Sequence, residues 1–461
     1  MNMPIKLSFY GGAQEVTGAN YLLECGPDAR SGRPAIKLLV DCGLFQGAKT
    51  AEDENRRPFP YNPSEIDALF VTHAHLDHIG RIPKLVRDGF SGKIFSTEPT
   101  RDFAELSLID SLGILTKEAR RENKETFYSK EDVEKAMSLW EALEYDEMFS
   151  LKDAEITLRD AGHILGSAMV EMKVEDKKIL FTGDLGNPPV PLLKRPYEPK
   201  DIDYLIIESA YGDKEHEPEE SRKIKIERAI EKAILNKGVL MVPAFSLERT
   251  QQLLYEINDL VENNHIPAVP IFLDSPLAIK MTDVYKKYES FYNKKAKFII
   301  SSGDDVFNFP GLKMTLTTEE SKAINEVPPP KVVIAGAGMS TGGRIIHHEK
   351  RYLPDKNSIL LIIGYQAAGS LGRQLVEGVR EVKIFGEEVP VNAEVVSIRG
   401  YSAHADTNGL FDFVDEISEK LKKVFVVQGE ARASLFFSQR VRDYLAKEAV
   451  VPKLGDTFEL V

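Results

Sequence analysis

The feature that most constrains this chain is a run of metal-binding side chains directly after a strand. Residues 66–71, Ile-Asp-Ala-Leu-Phe-Val, form a short and mostly apolar run that is typical of a buried β-strand. The chain continues Thr-His-Ala-His-Leu-Asp-His, which brings His73, His75, Asp77 and His78 close together. Imidazole and carboxylate groups suit zinc or a related divalent metal much better than calcium. The run therefore predicts a metal site, and a histidine-rich surface turn is the alternative.

Further predicted strands are followed by a polar residue in a loop that contains glycine. The strands and the residues that follow them are 36–40 with Asp41, 155–158 with His163, 178–181 with Asp184, 202–207 with Glu208, 394–398 with His404 and 424–427 with Gln428. Rigid strands position such groups at one rim of a sheet, while the loops let a ligand approach. We interpret Asp41 as a carboxylate that orients the site, and a turn cap is the alternative.

Length and composition narrow the class of protein. A chain of 461 residues is too long for one simple core and predicts two domains. It has no apolar run that could cross a bilayer and no secretory signal, so no membrane partner is expected. Only Cys25 and Cys42 occur, which argues against disulfides and predicts a cytoplasmic location. The net charge of −13 argues against extensive sequence-independent binding of DNA.

In the middle of the chain, predicted strands alternate with predicted helices. Helical periodicity covers 101–148, with a capping sequence at Ser129. Helices near 218–236 and 247–262 then alternate with strands, which predicts a parallel sheet. A glycine-rich loop at 336–344 opens a further helix, where backbone N–H groups can hold an anion, and a plain tight turn is the alternative.

These motifs together resemble the metallo-β-lactamase fold and, within it, the β-CASP nucleases. The residues at the family's motifs are Asp41, the 73–78 cluster, His163, Asp184, Glu208 in Glu-Ser-Ala-Tyr-Gly-Asp and His404 in Ser-Ala-His-Ala-Asp. The phrases at 274–278, 338–344 and 364–366 are similar to the RNA-processing branch, which includes the mRNA 3′-end processing endonuclease and its bacterial and archaeal relatives. The resemblance covers nearly the whole chain.

The resemblance implies an α/β fold made of two intertwined domains. A metallo-β-lactamase αββα sandwich would comprise residues 1–208 and 392–461. An inserted β-CASP α/β domain, a parallel sheet flanked by helices, would comprise residues 209–391.

The resemblance also implies a site with two zinc ions. His73, His75 and His163 would hold one ion, Asp77 and His78 would hold the other, and Asp184 would bridge both. Asp41, Asp77, Asp184, Glu208 and His404 are the expected catalytic residues, with His404 as the acid that protonates the leaving oxygen and Glu208 as its hydrogen-bond partner. The residues expected to hold flanking phosphates are Ser340, Thr341, Gly342, Gly343, Arg344 and Arg373.

The implied activity is that of a zinc-dependent phosphodiesterase. A water activated by two zinc ions would hydrolyse phosphodiester bonds of single-stranded RNA, as an endonuclease, a 5′-exonuclease or both. A homodimer is expected by analogy with relatives. Other histidines, namely His216, His265, His347 and His348, are interpreted as structural. Tyr211 and Tyr365 are candidates for stacking a base, and a buried aromatic is the commoner role.

One position departs from the family pattern. The RNA branch usually carries a metal-binding histidine where this chain has Gln428, in Val-Gln-Gly-Glu. An amide oxygen is neutral and a poorer zinc ligand than imidazole, so the second site should be weak or empty, or should favour a harder ion such as Mn²⁺. The departure leaves two alternatives open, a DNA nuclease of the same fold and a catalytically impaired RNA-binding homologue. A small-molecule hydrolase is less favoured, because the long inserted domain would have no purpose.

Overall fold

The protein is described here by a computed structural model that covers residues 5–26, 35–47, 50–217, 219–364, 366–367, 369–398 and 401–461, with the main chain alone for 219–221. Tyr365, a base-stacking candidate, lies outside these residues. The chain divides into two compact units. The first unit is Met1–Val190, Lys194–Glu215 and Ala403–Val461, and the second is Pro191–Leu193 and His216–Ser402.

The described residues form strands along the whole chain. They are β1 (Ile5–Phe9), β2 (Tyr21–Cys25), β3 (Ile36–Val40), β4 (Ala68–Phe70), β5 (Lys93–Ser96), β6 (Trp140–Ala142), β7 (Met148–Leu151), β8 (Ala154–Asp160), β9 (Ala168–Val174), β10 (Lys177–Phe181), β11 (Tyr204–Glu208), β12 (Val239–Pro243), β13 (Ile271–Leu273), β14 (Leu312–Met314), β15 (Lys331–Ala335), β16 (Ile359–Ile363), β17 (Glu381–Ile384), β18 (Glu387–Pro390), β19 (Glu394–Ile398), β20 (Lys423–Val427), β21 (Glu448–Val450) and β22 (Thr457–Leu460).

Helices alternate with these strands. They are α1 (Ala51–Arg56), α2 (Leu76–Ile79), α3 (Ile82–Arg87), α4 (Glu98–Glu122), α5 (Lys130–Ser138), α6 (Glu219–Leu235), α7 (Arg249–Glu262), α8 (Pro276–Lys287), α9 (Lys294–Ser301), α10 (Thr318–Ala323), α11 (Ile345–Tyr352), α12 (Leu371–Val376), α13 (Thr407–Glu416) and α14 (Ala431–Leu445). Short 3-10 helices form at Pro63–Glu65, Glu289–Phe291, Ile324–Glu326 and Ser418–Lys420. None of these helices has the length and apolarity that a bilayer crossing requires.

The first unit contains two seven-stranded sheets. Their strand orders are β22-β1-β2-β3-β4-β5-β6 and β21-β20-β11-β10-β9-β8-β7. One buried apolar cluster contains side chains of both sheets, and the rings of Phe9 and Phe425 meet within it at a centroid distance of 5.3 Å. Leu410 and Phe437, from α13 and α14, share a second cluster with Leu205 and Val424 of the second sheet. The sheets therefore pack face to face, with helices on the outer side.

Parallel pairing brings several strand ends to one rim of each sheet. In the first sheet β3 runs parallel to β4, with Val40 opposite Phe70. In the second sheet β10, β11 and β20 are parallel neighbours, with Glu208 opposite Val427. Parallel strands end at the same edge, so the polar residues that follow them emerge together.

The second unit is built on a parallel sheet. Its six strands have the order β14-β13-β15-β12-β16-β19, and every described pair among them is parallel. Strands β17 and β18 form a separate antiparallel pair. Helices α6 and α11 pack on β12, and α12 packs on β19. The predicted parallel sheet flanked by helices is confirmed.

The prediction of helical structure over 101–148 was partly wrong. Ser129 does cap α5, and a capping box forms because Ser129 and Asp132 each accept the other's backbone N–H. The helix ends at Ser138, however, and β6 follows. Trp140 pairs with Ile94 of β5, and its indole N–H donates to Ser96 Oγ at 2.8 Å. Addition to the edge of a sheet overrides the local helical pattern here.

Candidate metal centre

Three imidazole nitrogens converge at the rim of the first unit. His75 Nδ1 lies 3.1 Å from His73 Nε2 and 3.2 Å from His163 Nε2. Asp184 Oδ2 completes the group at 3.3 Å from His73 Nε2 and 3.5 Å from His163 Nε2. Four ligands at about 2.0–2.1 Å from a tetrahedral zinc ion are about 3.3–3.4 Å apart. The spacing of these four side chains therefore fits one such ion.

A second group shares the same carboxylate. His78 Nε2 lies 3.3 Å from Asp184 Oδ1 and 3.8 Å from Asp77 Oδ2. Asp184 thus turns one oxygen toward the three-histidine group and its other oxygen toward His78. The ligand atoms of each group lie within 4.8 Å of one another. The donor set of nitrogen and carboxylate oxygen fits two divalent ions that share one bridging carboxylate.

The backbone before Asp184 requires glycine. Gly183 has φ +54°, and a Cβ on it would lie 2.6 Å from Cβ of Thr72. A larger residue would therefore force Asp184 away from the histidines. His163 reaches the same rim because β9 pairs antiparallel with β10, which places the loop before β9 beside the end of β10.

Asp41 fixes the orientation of His78 through a buried network. Its carboxylate accepts the backbone N–H and the hydroxyl of Thr72, both at 2.8 Å, and the Nδ1–H of His78 at 2.7 Å. Since Nδ1 of His78 donates its proton to a carboxylate, Nε2 keeps the lone pair that a metal needs. Asn20 Nδ2 donates to the Asp41 carbonyl at 2.9 Å and holds the backbone there.

Glu208 and His404 form a pair beside the centre. His404 Nδ1 donates to Glu208 at 3.1 Å, and its ring is partly exposed, at 24%. Glu208 is fully buried and also accepts the backbone N–H of Leu185 at 2.7 Å. A β-bridge between Gly186 and His404 holds the two loops together. Because Nδ1 faces Glu208, Nε2 of His404 is the nitrogen that can face a substrate.

The electrostatics of the centre differ between the three-histidine group and His78. Burial lowers the pKa of His75 and of His163 well below the usual value, and neighbouring histidines add to this effect. Burial would also lower the pKa of His78, but Asp184 and Asp41 raise it well above the usual value. Neutral imidazole is the form that binds a metal, so an ion held by His78 would displace a proton from its ring.

Gln428 lies beside the second group. It follows β20, is buried, and its amide Nε2 lies 3.0 Å from His78 Nε2. Within the part of the chain that the structure describes, its Oε1 has no hydrogen-bond partner. The residue thus occupies the place where the sequence predicted a second-site ligand, with the nitrogen of the amide toward the site.

The six predicted phosphate-binding residues lie in the second unit, around the loop between β15 and α11 and in α12. Ser340 is buried, and its hydroxyl donates to Glu349. Arg344 donates to Asp274 Oδ1 at 2.7 Å and to two backbone carbonyls, so its guanidinium stabilises this unit. Arg373 Nε donates to Glu377 at 2.6 Å. Thr341 and Gly343 are exposed, and Gly342 is half-buried. Their role with phosphate stays a prediction.

Three family profiles match successive parts of the chain. They are the Metallo-beta-lactamase superfamily domain at residues 34–187, the Beta-Casp domain at 250–375 and the Zn-dependent metallo-hydrolase RNA specificity domain at 388–452. The chain is also 37% identical over 421 residues to "Ribonuclease TTHA0252" of Thermus thermophilus, which covers 91% of this chain and 92% of that protein. The chain belongs to the β-CASP family of the metallo-β-lactamase superfamily. The family and the α/β fold class predicted from the motifs are therefore confirmed.

Other β-CASP relatives are similar over most of their length. An "RNase J-like protein" of Methanocaldococcus jannaschii is 33% identical, over 98% of this chain and 99% of that protein. The "Transcription termination factor FttA" of the same organism is 30% identical, over 97% of this chain and 70% of that protein. A crystal structure of a protein of unknown function from Enterococcus faecalis V583 has a TM-score of 0.58 at 13% identity, over 99% of this chain and 100% of that one, and shows the shared fold.

Sequence reasoning missed several residues of this β-CASP centre. Thr72 bonds Asp41 through both its backbone and its hydroxyl, and its position just before His73 was the available signal. Asn20 and Tyr21 reach the centre from the start of β2, and no local pattern singles them out. Their contacts with Asp41 and the rest of the rim arise only when β2 pairs with β3.

Proposed function

We propose that this β-CASP protein is a metal-dependent ribonuclease that hydrolyses phosphodiester bonds of single-stranded RNA, with two zinc ions per chain. The observation that carries the proposal is the position of Asp184, whose two oxygens face the three-histidine group and His78 respectively. The match to a domain described as conferring RNA specificity and the ribonucleases among the relatives favour RNA.

The protein side chains have distinct roles in this proposal. His73, His75 and His163 hold one ion, His78 and Asp77 hold the other, and Asp184 joins both groups. Two bound divalent ions supply a nucleophilic water at neutral pH and stabilise the charge of the phosphate during displacement. Asp41 keeps His78 in the tautomer that binds a metal.

His404 is the proposed acid. Its Nδ1 stays bonded to Glu208, so Nε2 can give its proton to the 3′ oxygen that leaves phosphorus. The attacking water adds its oxygen to phosphorus, and the bond from phosphorus to the 3′ oxygen breaks. The products are a 5′-phosphate and a 3′-hydroxyl. The phosphates on either side would be held by Thr341, Gly342, Gly343 and Arg373, with Ser340 and Arg344 supporting the loop that carries them.

The test is cleavage of a labelled oligoribonucleotide in the presence of Zn²⁺ or Mn²⁺. His75→Ala is expected to abolish cleavage, while His265→Ala, an exposed histidine of the second unit near Glu227, should not. Absence of cleavage by the unaltered protein with either ion would remove the proposal. Products from 5′- and 3′-labelled RNA would show whether cleavage is internal or proceeds from the 5′ end.

The DNA nuclease and the catalytically impaired RNA-binding homologue each predict a different result. A strong preference for a matched DNA oligomer would favour a DNA nuclease. Fewer than about one zinc ion per chain after purification would favour a catalytically impaired RNA-binding homologue. Both alternatives remain open because Gln428 replaces the usual histidine of the family.

We also propose the domain order that the resemblance implies, a β-CASP insertion at 209–391 between the metallo-β-lactamase segments 1–208 and 392–461. Strand β19 (Glu394–Ile398) pairs with β16 in the sheet of the second unit, so the insertion extends at least through this strand. A cytoplasmic location and a homodimer remain expectations from composition and analogy. Light scattering on the purified protein measures the mass in solution and tests the dimer.

A further inference from the structure

Phe245 is an exposed aromatic side chain just beyond a buried strand of the second unit. Strand β12 is buried along its whole length, and Phe245, two residues after it, is 36% exposed. Strand β12 lies between β15 and β16 and runs parallel to both. The loops that follow these three strands therefore leave the sheet at the same edge, and Phe245 emerges there.

The strand order puts Phe245 at the place where sheets of this type bind ligands. After β12 the next strand of the sheet is β13, which lies on the side of β15. After β16 the next strand of the sheet is β19, which lies on the opposite side. The connections that leave the neighbouring strands β12 and β16 thus diverge. In open α/β sheets, ligands bind beyond the carboxyl ends of the strands at such a point.

Gly338 covers one face of the Phe245 ring. A Cβ placed on Gly338 would lie 2.6 Å from Cδ2 of the ring, 2.8 Å from Cε2 and 2.9 Å from Cγ. A point beyond the edge of the ring would be much closer to one of these atoms than to the two beside it, so the glycine lies over the face. The exposed area of Phe245 therefore belongs to the opposite face and to the edge of the ring.

Hydrogen bonds fix the backbone on both sides of this contact. The Phe245 carbonyl accepts the hydroxyl of Thr250 at 2.7 Å and the backbone N–H of the same residue at 3.3 Å. From the loop after β16, Gln366 Nε2 donates to the Gly338 carbonyl at 2.9 Å. The ring is thus held in place before any ligand arrives, and a surface formed in advance loses little freedom on binding.

We propose that Phe245 stacks an unpaired base of the bound RNA on the ring face that Gly338 leaves open. This role rests on the proposed function. A flat ring with one open face suits a flat ligand, and every nucleobase has a π face that can stack on it. Bases inside a duplex already stack on one another, so only an unpaired base can reach the ring. The loop that carries the predicted phosphate-binding residues continues directly from Gly338.

The experiment measures how tightly the full chain binds a single-stranded oligouridylate. Every protein carries His75→Ala, so that the oligomer is not cleaved. Phe245→Leu keeps an apolar side chain but loses the π face, and it is expected to weaken binding about 5-fold to 100-fold, the range for one base stacked on a ring. Phe245→Tyr keeps the π face and should restore binding. Phe298→Leu removes a ring of α9 that is 72% exposed in the same unit, and it serves as the matched control with unchanged binding.

Two further measurements separate stacking from damage to the neighbouring loop. Stacking involves no charge, so Phe245→Leu should weaken binding by the same factor at low and high salt, whereas lost phosphate contacts would reduce the salt dependence. A fully paired RNA duplex offers no unpaired base, so both proteins should bind it equally. Equal binding of single-stranded RNA by both proteins would overturn the role of Phe245. A loss that shrinks with salt, or that extends to the duplex, would overturn it as well.

A crosslinking measurement covers the case in which Phe245→Leu fails to fold. A single-stranded oligomer that contains 5-iodouracil is irradiated in complex with the His75→Ala protein, because this photoreactive base couples to an aromatic ring stacked on it. The crosslink is expected in the tryptic peptide 238–249, in which Phe245 is the only aromatic residue. Crosslinks confined to other peptides would overturn the role of Phe245. Absence of any RNA binding by the unaltered chain would instead overturn the proposed function.

Discussion

Asp41 Oδ2 lies 2.7 Å from Nδ1 of His78, and neither side chain is exposed to solvent. The carboxylate therefore decides which ring nitrogen of His78 carries the proton, although it lies behind the histidine and not among the proposed metal ligands. Partners of this kind tune metal sites as strongly as many direct ligands do.

We expect Asp41→Ala to weaken binding of the second metal about 10-fold to 100-fold, because the His78 ring loses its fixed tautomer. Competition with a chelator, followed by metal analysis, measures the change. Asp67→Ala is the control, since Asp67 also accepts a backbone N–H beside a strand but pairs with Lys152 at the surface. Equal metal affinity in Asp41→Ala and the unaltered protein would contradict the role of this carboxylate.

We expect Glu208→Gln to slow RNA cleavage about 100-fold or more at neutral pH, the scale of a general acid's contribution. The alkaline limb of the rate profile should move to lower pH, because the imidazolium of His404 loses its counter-charge. Single-turnover rates between pH 5 and 9 measure both effects, and metal content should not change. A slower rate with an unmoved profile would make Glu208 a structural residue.

We expect Gln428→His to bind the second metal about tenfold more tightly or better and to cleave RNA faster, since imidazole is the stronger ligand for zinc. Metal analysis and cleavage rates test this. Gln439→His, on the exposed face of α14, controls for a histidine added elsewhere. Unchanged metal content and rate would show that residue 428 does not correspond to the family's ligand position.

Glu248 gives a prediction about stability in the second unit. Burial raises the pKa of its carboxyl from 4.5 to about 7, although a hydrogen bond from Tyr285 opposes this. Between pH 4.5 and about pH 7, Glu248 holds a proton in the folded protein that it has lost in the unfolded chain. Stability therefore falls as pH rises through this window, by about 1–3 kcal/mol at pH 8.

Glu248→Gln stays neutral at every pH and is expected to unfold at higher urea concentration than the unaltered protein at pH 8. The difference should shrink near pH 5, where the native carboxyl is protonated as well. Glu262→Gln, at the exposed end of the same helix, is the control. A difference that does not depend on pH would rule out ionisation of Glu248 as its cause.

Much of this architecture could be predicted from the sequence, because strong local patterns coincide with the tertiary structure. Apolar runs that end in glycine or a polar residue predicted β3 and β19 at the bounds that the structure has. The convergence of Asp41 with the 73–78 cluster follows from the parallel pairing of β3 and β4. The side chains that converge at Asp184 were all singled out by their places at strand ends.

Other features depend on contacts that no local pattern encodes. Trp140 has a helical neighbourhood in sequence but adds a strand beside β5. Arg344 had the right chemistry for phosphate, yet Asp274, far away in the chain, accepts its N–H group. Tyr21 lies in an ordinary apolar strand, and its place beside Gln428 arises only when the first and last thirds of the chain pack together.

The pairing of Glu208 with Val427 requires that the ribosome has synthesised the chain beyond residue 427 before the rim of the second sheet is complete. His404 and Gln428 are made long after the histidines at 73–78, so a polypeptide still emerging from the ribosome holds an incomplete set of groups. We expect the last ion to load only after translation has passed residue 428.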